Sequence, residues 1–259
     1  MNAALITGAC INTGVAIVEK FASEGKNVVF TGRSIEKVRA AEETYRKQFP
    51  GVTILGYAID SLLDERTVDE KSVDELFADL DAKGIFIDSL VLNAADQGLG
   101  MQIFESPLTD LMRVINTNVV WNYCLCEHAA RRMKEQGGGN IVFVNSNTAY
   151  RAIPDRVAYV TSKGGQLGLM RALTMDLGKY NIRVNAVLPG MIKTDRWEKN
   201  PDFYATVPSR YTPIGDVAVG ADIADAVYYF AAHARNTTGA ELVVDGGNTI
   251  QLYPIIPKE

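Results

Sequence analysis

Histidine and cysteine are scarce in this chain: two and three residues respectively, in 259. Cys124 and Cys126 stand two apart, a spacing that fits no zinc knuckle, and an odd cysteine count does not suggest a disulfide framework. The reading is reduced thiols and no metal site. No basic region followed by a long apolar run opens the sequence, which starts MNAALITGAC, and no segment approaches the roughly 20 apolar residues that span a bilayer. A cytoplasmic protein is expected. Cations are outnumbered, 26 Lys and Arg against 31 Asp and Glu, for a net charge of -5. That deficit argues against nucleic acid or an anionic membrane as the main partner, since both select clustered positive charge. The densest basic cluster, Arg131, Arg132 and Lys134, reads as a solvated helix end. Linkers, low-complexity tracts and repeats are missing too.

What is present is an ordinary globular composition, 47% apolar and 22% charged, long enough to bury a core without staples. Strand-like and helix-like segments alternate. Apolar runs at 3–7, 27–31, 52–59, 87–93, 140–146, 182–188 and 241–247 read as strands. Helical patterns fill 15–24, 35–48, much of 64–83, 107–135 and 157–179. The strands are continuous Val/Ile/Leu runs, so both faces are expected to be covered. The alternation predicts an α/β fold: a Rossmann-type, doubly wound parallel sheet of about seven strands in one domain, 1–259. Only 190–219 lacks clear periodicity. It carries Trp197, Phe203, Tyr204 and Tyr211 with three prolines, and an irregular segment of that length reads as a lid over a binding site.

The segment ITGACINTGVA follows the first strand and opens the first helix, where unpaired N–H groups and the positive dipole end suit a pyrophosphate. Gly8 makes the tight turn and Gly14 lets the helix lie close to the sheet. Asn12 stands where a dinucleotide fold prefers glycine; asparagine tolerates positive φ better than most residues. The second strand ends TGRS. An acidic residue there would bind a bare ribose, but Arg33 and Ser34 suit a 2′-phosphate, which favours NADP over NAD.

With these pieces, the sequence resembles the short-chain dehydrogenase/reductase family nearly end to end, from TGACINTG to VDGG. Ser146, thirteen residues before Tyr159, and Lys163, four after it, reproduce the family's Ser and Tyr-x-x-x-Lys arrangement. NTNV supplies Asn118, and RVNAVLPGMIKT is similar to the segment flanking the nicotinamide. LVLNAA resembles the family's strand-four motif, with Leu92 in place of an asparagine and Ala95 in place of a glycine. With Asn12, these departures fall along the cofactor groove and leave the catalytic set untouched.

The resemblance implies roles. Tyr159 is the general acid or base, Ser146 holds the substrate oxygen, Lys163 lowers the tyrosine pKa and binds the nicotinamide ribose, and Asn118 holds a water that continues the proton path. Asp60 is implied near the adenine, Asn93 near the adenosine ribose, Ile192 and Thr194 near the carboxamide, and Pro189 and Gly190 beside the nicotinamide ring. On a helix, residues i and i+4 share a face. Bringing a phenol from pH ~10 to neutrality takes roughly 4 kcal/mol, and one ammonium ~4 Å away at an effective dielectric of ~20 supplies about that.

The substrate pocket is expected from Gln97, Asn147, Tyr150, Arg151, Arg156, Trp197 and Tyr204. That mixed lining suits a small sugar, polyol or hydroxy acid, and Arg151 or Arg156 could meet an anionic group. The apolar tail NTIQLYPIIPKE is expected to dock, on a neighbouring subunit or over its own pocket. Helices 107–135 and 157–179 would give a homotetramer or homodimer. The expected activity is NAD(P)-dependent interconversion of a secondary alcohol and a carbonyl. The alternatives are a halohydrin dehalogenase-like lyase, which uses arginine where Lys163 stands, and a non-catalytic nucleotide sensor.

Overall fold

The computed structural model describes residues 1–194, 197, 199, 201–205 and 207–255. Seven strands form one sheet: β1 (Asn2–Ile6), β2 (Asn27–Gly32), β3 (Ile54–Ala58), β6 (Phe86–Leu92), β7 (Gly139–Val144), β8 (Ile182–Pro189) and β9 (Glu241–Val244), in the order β3-β2-β1-β6-β7-β8-β9. Every pairing in it is parallel. β1 runs down the middle, with Ile6 opposite Phe30 on one side and Val91 on the other. The order of winding reverses between β1 and β6. At such a switch point the loops beyond the strand ends diverge and leave a crevice.

Both sheet faces are covered, which is why the strands read as unbroken apolar runs. Phe77, Trp121, Leu125, Phe143 and Met170 meet on one face, under helices α3 (Glu70–Ala82), α5 (Trp121–Glu135) and α6 (Val157–Leu177). Ile17, Phe21, Phe30, Val38, Tyr45 and Val227 meet on the other, under α1 (Asn12–Ser23), α2 (Ile35–Gln48) and the Gly220–Tyr228 helix. Phe21, Phe30, Phe77 and Phe143 are fully enclosed, each worth about 1.5–3 kcal/mol of burial.

The expected seven strands are all present. Two helical expectations change. The acidic stretch 64–83 does not start as helix: β4 (Leu62–Asp64) and β5 (Thr67–Val68) pair as a small antiparallel hairpin, and α3 begins only where the Asp69 carboxylate caps it by accepting from Ser72 N at 3.0 Å. The helix expected over 107–135 runs as α4 (Leu108–Ile115), a π-helical turn over Asn116–Val120, and α5. π-turns bulge the backbone outward and often mark functional positions; this one contains Asn118. The segment 190–219 contains the short helices Pro201–Ala205 and Val207–Tyr211, and an Ile192–Ala218 bridge closes its base.

The tail lies on its own chain. The Arg151 guanidinium donates to the carbonyls of Asn248, Thr249 and Gln251 at 2.7, 3.1 and 2.5 Å, and the Gln251 amide and the Ile255 N–H both reach the Arg210 carbonyl. Ile250, Leu252 and Tyr253 remain exposed, and 256–259 lie outside the described residues.

Candidate active site

The turn between β1 and α1 is built by close approach. Gly8 has φ +67, and a Cβ there would sit 2.9 Å from Ala94 Cα. A Cβ on Gly14 would meet Ala9 Cα at 2.7 Å and Asn93 Nδ2 at 2.9 Å and would collide with the Gly8 carbonyl. Asn12 adopts φ +48, the left-handed region its identity allows. The N-terminus of α1 has no side-chain cap, whereas α2 and α3 are capped by Ser34 and Asp69. The first-turn N–H groups of α1 are therefore available to a ligand anion. A nucleotide pyrophosphate fits this cradle.

Asn93 braces the turn: its Nδ2 donates to Thr7 O and Gly8 O at 3.0 and 3.1 Å, while Thr7 Oγ1 accepts from the Asn93 and Ala94 N–H groups. The Gly14→Ala variant is therefore expected to keep its fold yet bind NADP and NAD about tenfold or more weaker, because overpacking here costs about 1–3 kcal/mol. Nucleotide titration by fluorescence alongside circular dichroism checks it.

At the adenosine end, Cys10 Sγ presses on Gly32, leaving no room for a side chain at that position. Arg33 is exposed. The Ser34 hydroxyl accepts from Lys37 N and donates to Glu36 at 2.6 Å, so it is engaged in capping α2. Asp60 accepts from Ser61 N at 2.7 Å as a turn residue after β3. Leu92 is fully buried in the core beneath the groove, which accounts for an apolar residue there; Ala95 is exposed.

Ser146 stands just past β7, and Tyr159 and Lys163 share a face of α6 beside it. Ser146 Oγ accepts from Thr148 N and Thr148 Oγ1 at 3.1 and 2.9 Å, which fixes the hydroxyl. Lys163 is 1% exposed, with Nζ 5.5 Å from the centre of the Tyr159 ring. Nζ donates to the Val144 carbonyl at 3.0 Å and to Gln166 Oε1 at 3.1 Å. Burial pushes its pKa down to about 7.

Burial also holds the Tyr159 phenol above its ordinary value, while the Ser146 hydroxyl and the charge of Arg156 pull it down. The protein's own groups thus do not make the phenol acidic, contrary to the expectation from one ammonium at ~4 Å. Burial of the amine, with Nζ 5.5 Å from the ring centre, lowers the lysine's own pKa, and the same desolvation that raises the phenol discourages charge on the amine.

Asn118 is fully buried. Its side chain clamps the backbone of Asp96, accepting from N at 2.7 Å and donating to O at 2.8 Å, and also reaches Ser162 Oγ. Its own backbone carbonyl accepts from Asn122 Nδ2 at 2.8 Å and Gln166 Nε2 at 2.7 Å. Sequence reasoning does not single out Gln166. Its signal is a polar residue one turn after Lys163, at i+3, on the same helix face.

The residues expected to line a pocket do not all converge. Asn147 Nδ2 donates to Asp245 and Asn248 at the end of β9, beside Gly190, where a Cβ would meet Asp245 Cβ at 2.5 Å. Pro189 ends β8, and Ile192 and Thr194 follow it, the Thr194 carbonyl accepting from Trp197 N. Trp197 Nε1 donates to Ile192 O at 3.1 Å. Arg156 precedes α6, after a left-handed Asp155 (φ 54), and makes no ion pair among the described residues. Tyr150 turns instead to Glu241 on β9, and Arg151 to the tail carbonyls. Gln97 is exposed; the Tyr204 side chain lies outside the described residues.

Comparison with known proteins places this geometry. A family model described as "Enoyl-(Acyl carrier protein) reductase" matches residues 8–249. An uncharacterised oxidoreductase of Thermotoga maritima is 32% identical, with 96% of each chain covered. An L-rhamnose 1-dehydrogenase (NAD(P)(+)) of Azotobacter vinelandii is also 32% identical, with 96% of each covered. The crystal structure of L-sorbose reductase from Gluconobacter frateurii, complexed with NADPH and L-sorbose, superimposes with a TM-score of 0.87 at 27% identity over 96% of this chain and 97% of that one.

Proposed function

The chain belongs to the short-chain dehydrogenase/reductase family and is an oxidoreductase, and from that premise we propose that it interconverts a secondary alcohol and a carbonyl on a small polar substrate. The observation that carries this is the convergence of Ser146, just past β7, with Tyr159 and Lys163 on α6.

A bound nicotinamide would supply or accept the hydride. Ser146, oriented by Thr148, holds the substrate oxygen. Tyr159 gives that oxygen a proton on reduction and takes it back on oxidation. Lys163 binds the ribose hydroxyls of the nucleotide and, when protonated, favours the phenolate. Asn118 keeps the β6 exit loop in place through Asp96. Gly8, Asn12 and Gly14 take the pyrophosphate, Asn93 supports them, and Asp60 closes the adenine side. Pro189, Gly190, Ile192 and Thr194 form the nicotinamide wall.

NADP is the preferred cofactor in this reading. Arg33 is exposed with no ion pair among the described residues and offers a 2′-phosphate its guanidinium. The substrate class is a sugar, polyol or hydroxy acid, supported by relatives whose names give L-rhamnose and L-sorbose and by Arg156, whose charge acts on Tyr159. The segment 190–219 serves as the lid. Exposed Val120 and Tyr123 on the α4–α5 side and Val157 and Met175 on α6 support assembly into a homodimer or homotetramer. No helix among the described residues is long and apolar enough to cross a membrane, and we place the protein in the cytoplasm.

The test is a panel of sugars, polyols, hydroxy acids and their carbonyl forms, followed at the nicotinamide absorbance with NADP(H) and NAD(H). Turnover of a polar secondary alcohol, faster with NADP, is expected. Silence across the panel with both nucleotides would overturn the reading.

A further inference from the structure

Arg151 follows the short 3-10 turn over Asn147–Ala149 that carries the chain away from Ser146. Its N–H donates to the Asn147 carbonyl at 3.1 Å, so its position is tied to the turn that bears the serine. Its side chain turns to the tail. The guanidinium Nη1 donates to the carbonyls of Asn248, Thr249 and Gln251 at 2.7, 3.1 and 2.5 Å. Three oxygens of like partial charge thus converge on one cation, and without it they repel one another.

The far side of the tail is bonded to the 190–219 segment. Asn248 Nδ2 donates to the Tyr211 carbonyl at 2.8 Å and Gln251 Nε2 to the Arg210 carbonyl at 3.0 Å. The Ile255 N–H reaches that same Arg210 carbonyl at 2.8 Å. Arg210 and Tyr211 end the helix Val207–Tyr211. Just beyond it, the Ile214 N–H donates to the Gly246 carbonyl at 3.2 Å. A Cβ on Gly246 would meet Ile214 Cγ2 at 2.8 Å. The tail therefore lies between the Ser146 turn and the end of this helix, bonded to both.

Apolar burial does not hold the tail there. Ile250, Leu252 and Tyr253 are 88%, 77% and 76% exposed, so removal of apolar surface from water contributes little. The base of the tail is fixed by the buried Asp245 carboxylate, which accepts from Gly247 N and Thr249 N at 2.9 and 2.6 Å and from Asn147 Nδ2. Beyond Thr249, hydrogen bonds run to Arg151 on one side and to the Arg210 carbonyl on the other. We propose that Arg151 is a positioning residue: it ties the tail, as a strap, to the Ser146 turn, and through the strap it holds the helix Val207–Tyr211 in place over the substrate. Its effect on substrate affinity rests on the reading of 190–219 as the lid. The link from Arg151 to the helix is measured without substrate.

Arg151→Met keeps an aliphatic stem and removes the donors, and the residue is exposed, so the variant is expected to fold. Hydrogen exchange of the full chain, read by NMR without nucleotide or substrate, reports on the strap. The amides of Thr212, Ile214, Gln251 and Ile255 are expected to exchange about fivefold faster or more, while those of β1 and β7 keep parental rates. With saturating nucleotide and the alcohol that the panel identifies, KM is expected to rise about fivefold or more and kcat to change less than about twofold. Arg151→Lys keeps a cation with three donors and should recover part of both effects. Gln251→Leu cuts the strap on the lid side, so the double variant with Arg151→Met should raise KM little beyond the larger single effect.

Unchanged exchange at Thr212 and Ile214 in Arg151→Met would overturn the inference, as would faster exchange with an unchanged KM, or KM effects of the two sites that simply multiply. If Arg151→Met does not fold, Arg151→Gln takes its place under the same criteria. Absence of turnover in the parent chain would overturn the proposed function instead, and the exchange rates alone would then judge Arg151.

Discussion

Tyr159→Phe is expected to lose turnover by about 10²–10⁴-fold, the usual contribution of one positioned acid or base, while nucleotide affinity stays near that of the parent. The change removes one oxygen. It takes from the Ser146 hydroxyl the phenol oxygen that it bonds but leaves that hydroxyl its two Thr148 donors, and the ring still packs against Lys163. Stability should move by no more than about 1 kcal/mol. Steady-state rates and a nucleotide titration on the same preparation check it. Retention of more than about a tenth of parental turnover would remove Tyr159 from the chemistry.

Lys163→Met is expected to change the pH dependence of stability as much as the rate. Burial lowers the folded-state pKa of Lys163 from 10.5 to about 7. Below pH 7 both folded and unfolded chains carry the proton, and the full cost of enclosing the charge is present. Between about 7 and 10.5 the unfolded chain holds a proton that the folded chain has released, so the lysine's contribution to stability rises with pH by about 1.4 kcal/mol per unit.

The methionine variant has no such dependence. Its stability minus that of the parent should be highest below pH 7 and fall by about 1.4 kcal/mol per pH unit up to 10.5. Removing the hydrogen bonds from Nζ to Val144 O and Gln166 Oε1 adds a constant offset that leaves the slope untouched. Denaturant melts of both proteins from acid to alkaline pH measure the difference. A flat line would mean that the buried amine titrates as it does in water. Activity should be lost at every pH, so the residue that costs stability is one the chemistry needs.

Much of the fold is legible in the sequence. Parallel strands covered on both faces leave unbroken apolar runs, and all seven strands stand out that way. The glycine turn is legible because Gly8 and Gly14 tolerate no Cβ where they stand. Asn12 is a residue able to take a left-handed φ, and it does. The π-turn at Asn118 is not legible, since its apolar spacing differs little from that of an α-helix. Nor are the partners of Tyr150 and Arg151: a side chain's choice between a pocket and the Glu241 carboxylate or the tail carbonyls is made by neighbours more than 90 residues away in the chain.

The sequence by itself determined the periodicities, the turn residues and the helical step from Tyr159 to Lys163, because each is a property of local backbone geometry. Only the tertiary structure decided what those groups experience. Enclosure by β7, the π-turn and α6 withdraws water from Lys163 and leaves Tyr159 half-buried, and the cost of charge inside that enclosure depends on every wall. A phenol one helical turn from an amine is thus held above its ordinary pKa by its surroundings, and Gln166, unremarked in the sequence, supplies a side-chain acceptor to the amine.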